Sequence, residues 1–110
     1  MDRKTRIKME ARVKIIKALA HPTRLYIADQ VCCRERTVGQ LTEMIGVDMS
    51  TISRHLSILK HAGIIKVRKD GLQVYCSLAI PCIMNFFNCA EDAVREVDKS
   101  LAKSSEQTKK

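Results

Sequence analysis

A chain of 110 residues is long enough for one compact domain and too short for two ordinary ones. Its net charge of +8 lies within residues 1–70, which hold 15 Lys/Arg against 7 Asp/Glu, while residues 71–110 hold 5 against 5. That asymmetry points to an acidic partner, nucleic acid first and anionic lipid second, while two Tyr, two Phe and no Trp offer few platforms for stacking single-stranded bases.

No apolar stretch approaches the ~20 residues of a membrane span, and MDRKTRIKME lacks the apolar run of a signal peptide, so a cytoplasmic protein without membrane contact is expected. In a reducing compartment the five cysteines, Cys32, Cys33, Cys76, Cys82 and Cys89, read as thiols, and their odd number fits that reading.

Along the chain, Ile7, Ala11, Ile15, Ala18 and Leu19 recur at helical spacing and predict a first helix over 6–19 with a basic outer face. Pro22 opens a second helix running to about Cys33, with Leu25, Ala28 and Cys32 on one face. Thr37 and Gln40 have the spacing of a capping box, which starts a short helix that Gly46 ends. A fourth helix is predicted from about Ser50 to His61, with Ile52, Leu56 and Leu59 on one stripe and Ser50, Thr51, Ser53, Arg54, Ser57 and Lys60 mostly off it.

IIKVRKDGLQVYCSL reads as a hairpin turning at Asp70-Gly71, with Leu72, Val74, Cys76 and Leu78 on one face. Cys76 in that alternation is a small core residue. A last helix then runs from Ile80, with Pro81 at its first position, to about Ala102, and carries a seam of Ile83, Phe87, Ala90, Val94, Val97 and Leu101. Residues 1–102 are expected to form one domain, and 103–110 a solvated tail.

Two short helices joined by a tight turn, followed by a basic hairpin, give a mainly α fold with a β-hairpin wing, a winged helix-turn-helix. The hydroxyls of Ser50, Thr51 and Ser53 are short enough to let the backbone approach DNA. Arg54 has the fork that pairs with guanine, and His55 can donate to a phosphate or base edge. Lys66, Arg68 and Lys69 make the wing basic. His61 suits a helix C-terminus, and His21 before Pro22 reads as a cap.

HPTRL, TVGQLTEMIGVDMSTISRHLSILKHAGII and VRKDGLQVYCSL together resemble the ArsR/SmtB family of winged-helix repressors, over roughly residues 10–100. The resemblance implies a homodimer built on the first and last helices, which docks recognition helices in successive major grooves of an inverted repeat in double-stranded operator DNA. It also implies release when an inducer binds.

Where many arsenic-sensing members carry Cys-Val-Cys, this chain has Thr37, Val38 and Gly39. Residues 80–102 hold no histidine, which disfavours the last-helix zinc site of other members. The candidate inducer ligands are therefore the thiols Cys82, Cys89, Cys33 and Cys32, which suit As(III), the leading candidate, or Sb(III), Cd(II) or Cu(I). Cys82 and Cys89 lie two turns apart, about 10.5 Å along a helix, too far for one disulfide or one shared ion. Each needs a partner from helix two or from the second subunit. A metal-free redox switch at Cys33 or Cys89, or an architectural DNA-binding protein whose cysteines only pack, are the alternatives. No permanently bound cofactor and no catalytic constellation is expected.

Overall fold

The computed structural model describes the backbone of residues 1–108 and the side chains of residues 1–102. The chain divides into two units, Met1–Ile80 and Pro81–Lys110. The first unit comprises α1 (Arg3–Leu19), α2 (Pro22–Gln30), β1 (Arg36–Thr37), α3 (Val38–Ile45), α4 (Met49–His61), β2 (Ile65–Asp70) and β3 (Gln73–Leu78). The second is a single helix, α5 (Cys82–Thr108), which begins just after Pro81 rather than with it and runs past the predicted end at 102. The side chains of the expected tail, 103–110, lie outside the described residues.

Hydrophobic spacing accounts for the core of the first unit. Ile27 of α2, Leu41 of α3, Ile52 and Leu59 of α4, and Ile64 just before the wing are fully buried. Burial of each such side chain favours folding by about 1.5–3 kcal/mol. Thr37 caps α3 through the foreseen capping box: its hydroxyl accepts from the Gln40 N–H at 3.0 Å, and the Gln40 side chain accepts from the Thr37 N–H at 2.9 Å. Gly46 then ends α3 with φ 81°, a left-handed conformation that costs glycine little.

Three features depart from the expected pattern. Helix α2 stops at Gln30 rather than Cys33, because Arg36 reaches back and takes the end of the helix: its Nε donates to the Gln30 carbonyl and a terminal nitrogen to Gln30 Oε1, each at 3.2 Å. Cys32 and Cys33 thus sit in a turn, half-buried and exposed respectively, and not on a helix face. The hairpin acquires a third strand, since Arg36 and Thr37 pair with Cys76 and Tyr75 to give the antiparallel order β1-β3-β2. Leu72 occupies the two-residue turn after Gly71 (φ 63°) and is fully exposed, while Cys76 and Leu78 of the same predicted face are buried. Burial, with the Glu35 carboxylate second, pushes the Cys76 thiol up to about 11, so this cysteine is a core group as its alternation predicts.

Replacing Thr37 by Ala removes one half of the capping box and should lower the unfolding free energy by about 1 kcal/mol, read as a lower urea midpoint at unchanged slope.

Candidate nucleic-acid interface

Helices α3 and α4 form the expected pair, and α4 turns one stripe inward. Ile52, Leu56 and Leu59 are buried, which leaves Ser50, Ser53, Arg54, Ser57 and Lys60 exposed. Arg54, about 200° around the helix from Ile52, faces directly away from the core. Asp48 stands at the N-cap position of α4, where its carboxylate accepts from the hydroxyls of Ser50 and Thr51 and from no backbone N–H of the helix. Those two bonds, Ser50 first, hold Asp48 below the usual carboxylate range. With their protons committed to Asp48, both hydroxyl oxygens remain available as acceptors at the front of the helix.

His55 is not on this free face. It lies half-buried on the side of α4 toward α2, its ring centroid 4.6 Å from that of His21 and its Nδ1 3.3 Å from a terminal nitrogen of Arg24. Read in the sequence as a donor to a phosphate or base edge, His55 is turned toward Arg24 instead, for it lies about 60° around the helix from the buried Ile52. Burial, then the charges of His21, Arg24 and Arg54, lower its pKa. His21 itself caps α2 as predicted, its Nδ1 accepting from the Thr23 N–H at 3.1 Å. His61 Nδ1 donates to the Ser57 carbonyl at 2.7 Å near the end of α4.

The wing's three cations are split by strand alternation. Lys69 pairs across the hairpin with Val74, on the face that carries Val67 and Cys76; Lys66 and Arg68 pair with Ser77 and Tyr75 on the other. Arg68 is moreover occupied. It bonds both Glu35 oxygens, Nε to Oε2 at 3.3 Å and a terminal nitrogen to Oε1 at 3.1 Å, lies 3.5 Å from Asp70, and stacks 4.5 Å above the Tyr75 ring. Neither Glu35 nor Arg24 was foreseen as part of this region. The only signal for Glu35 was a carboxylate between two arginines, which names no partner 33 residues away.

Of the candidate thiols, Cys33, Cys82 and Cys89 are exposed and Cys32 is half-buried. Desolvation raises the Cys32 pKa, helped by the charge of Cys33, a hydrogen bond to it, and Asp29. Cys82 and Cys89 share α5, so the two-turn separation inferred from the sequence holds. Among the described residues no three His, Cys, Asp or Glu side chains gather as a metal set, and no helix is long and apolar enough to cross a membrane.

Comparison with known proteins bears on the same region. Residues 21–67 match the model of the bacterial regulatory protein, arsR family. The chain is 32% identical over 87 residues to the uncharacterised HTH-type transcriptional regulator Rv0081 of Mycobacterium tuberculosis, covering 78% of this chain and 76% of that protein. The crystal structure of Rv0081 superposes with a TM-score of 0.71 at 30% identity, covering 91% of this chain and 97% of that one. The transcriptional repressor SdpR of Bacillus subtilis is 30% identical over 87 residues, 79% of this chain and 97% of its own. The homodimeric winged helix-turn-helix DNA-binding domain Mb0332 of Mycobacterium bovis shares the fold, with a TM-score of 0.77 at 24% identity over 91% of this chain and 93% of that one.

The split wing makes a contrast testable. Lys69→Ala should lower the salt dependence of DNA binding by about one counterion, whereas the charge-neutral double variant Arg68→Gln/Glu35→Gln should bind within about twofold of the parent, both read by fluorescence anisotropy across a salt series.

Proposed function

The chain belongs to the arsR family of bacterial regulatory proteins, and we propose that it is a homodimeric repressor that binds operator DNA through α4 and leaves it when a thiophilic inducer, As(III) first, engages its cysteine thiolates. One observation carries the DNA reading: α4 buries Ile52, Leu56 and Leu59 and leaves a hydroxyl-rich face with Arg54 at its centre free. That face has the size and chemistry of a major-groove reader, with Arg54 as the guanine fork and Ser50, Thr51 and Ser53 as short contacts. Lys69 would follow the neighbouring phosphates, and Lys66 stands on the other face of the wing.

Dimerisation is supported by apolar side chains left uncovered in each unit. On α1, Ile7, Val13 and Ile16 are 44–65% exposed, and on α5 Phe86, Val94, Val97 and Leu101 are 58–65% exposed. Two copies would give such stripes a partner and would present two copies of α4 to an inverted repeat.

For the inducer, Cys82 and Cys89 on α5 and Cys32-Cys33 in the turn after α2 are the thiols in question. The raised pKa of Cys32 disfavours a thiolate there at neutral pH, which counts against oxidant chemistry at that position and less against a metalloid that displaces thiol protons as it binds. The turn that holds Cys32 and Cys33 is fastened on both sides, by Arg36 to Gln30 and by Glu35 to Arg68 of the wing. Ligation there would act on the wing through those contacts.

The test measures anisotropy of an operator fragment selected by the reduced protein, with and without As(III), Sb(III), Cd(II) or tetrasulfide. Release by As(III), lost in Cys82→Ser and in Cys89→Ser, is the expected outcome. As(III) release that survives both substitutions would remove the α5 thiols from the site. Release by tetrasulfide alone would replace the metalloid reading with a redox switch, and no release by any of them would leave an architectural DNA-binding protein.

A further inference from the structure

Arg24 lies outside the helix-turn-helix, yet it joins three elements. Its Nε donates to the Ala18 carbonyl at the end of α1 at 2.6 Å, and one terminal nitrogen stands 3.3 Å from Nδ1 of His55 on α4. His21 packs its ring against the same imidazole, while its own Nδ1 is taken by the Thr23 N–H. Among the described residues no ion pair involves Arg24, His21 or His55.

Guanidinium nitrogens only donate, so the Arg24 contact requires an unprotonated Nδ1 on His55. The imidazole is then the neutral tautomer with its proton on Nε2. We propose that Arg24 is a positioning residue for DNA recognition: by donating to Nδ1 of His55 it pins α4 to the corner between α1 and α2, and the DNA-binding form is the one in which His55 is neutral. The proposal rests on the DNA-binding reading and adds a device to it.

The physical need follows from how α4 is otherwise held. Its buried stripe is apolar and fixes which face of α4 turns outward, but apolar contact is non-directional and holds small rotations about that setting less tightly. A turn of about 20° would carry side-chain tips some 6 Å from the axis through roughly 2 Å, enough to break a hydrogen bond to a base edge. The Arg24–His55 bond, reinforced by the His21 ring, supplies the missing direction.

Protonating His55 removes the acceptor and adds a positive charge among His21 and Arg24 on the α2 side and Arg54 on α4 itself. Burial and these charges lower the His55 pKa, so its neutral form is the one the fold favours. The clamp is therefore complete above the usual histidine range and is lost as pH falls through the lowered folded value.

The experiment measures operator affinity at constant ionic strength between about pH 7.5 and 5 for the parent, Arg24→Ala, Arg24→Lys and His55→Asn. In the DNA-free protein, long-range proton–nitrogen NMR reads the His55 tautomer. The Asn carbonyl stands where Nδ1 was and cannot be protonated, so His55→Asn should keep the neutral-pH affinity within about threefold and lose the acid-side weakening. Arg24→Ala should bind about tenfold more weakly at neutral pH, with Arg24→Lys recovering part of that loss. An identical pH profile in the parent and His55→Asn, an unchanged affinity in Arg24→Ala, or a His55 proton found on Nδ1 would each overturn the clamp. Should the parent bind no DNA at all, the functional reading fails, and the tautomer still decides whether Arg24 holds His55.

Discussion

The buried stripe of α4 decides what the rest of the molecule can present. Ile52, Leu56 and Leu59 enter the core beside Ile27 of α2 and Leu41 of α3, and each is worth about 1.5–3 kcal/mol. No exposed polar contact in the interface competes with that, since surface ion pairs contribute about 0–1 kcal/mol. The stripe therefore fixes which face of α4 meets solvent. The polar residues are then distributed by helical geometry, Arg54 to the outside and His55 to the flank against α2.

The wing follows the same rule with a period of two. Because Val67 and Cys76 must share a face, Lys69 falls on that face and Arg68 on its reverse, whatever the merits of three cations acting together. Arg68 then finds Glu35, Asp70 and Tyr75, and its charge goes into holding the hairpin to the segment that precedes β1. A basic cluster in the sequence thus becomes one strand's two faces, with different partners and different work.

Much of this was legible in the chain itself because the relevant signals are local. The capping box at Thr37, the end of α3 at Gly46, the inward stripe of α4, the hairpin itself, whose turn falls at Gly71-Leu72 one residue past the expected Asp70-Gly71, and the buried Cys76 each depend on residues within a few positions of one another. What was not legible depends on distant pairs. The early end of α2 is set by Arg36 folding back on Gln30, the short strand β1 exists only by pairing with β3, and the commitment of Arg68 waits on Glu35. The Arg24–His55 contact is hidden for a related reason, as nothing near His55 in sequence announces a partner 31 residues away.

The early end of α2 also changes what the cysteines can mean. On a continued helix Cys32 and Cys33 would point about 100° apart, one inward and one outward, as independent thiols. In the turn that holds them they are neighbours: burial first, and then the charge of Cys33 and a hydrogen bond to it, raise the Cys32 pKa. The turn is short, and it is tied at one end to α2 and at the other to the wing. Under the proposed thiol sensing, a ligand's pull on two thiols of a helix face would run along a rigid rod, whereas its pull on two thiols of a fastened turn would fall on the fastenings. Arg68 is one of those fastenings: through Glu35 it joins the segment that follows Cys32 and Cys33 to the wing.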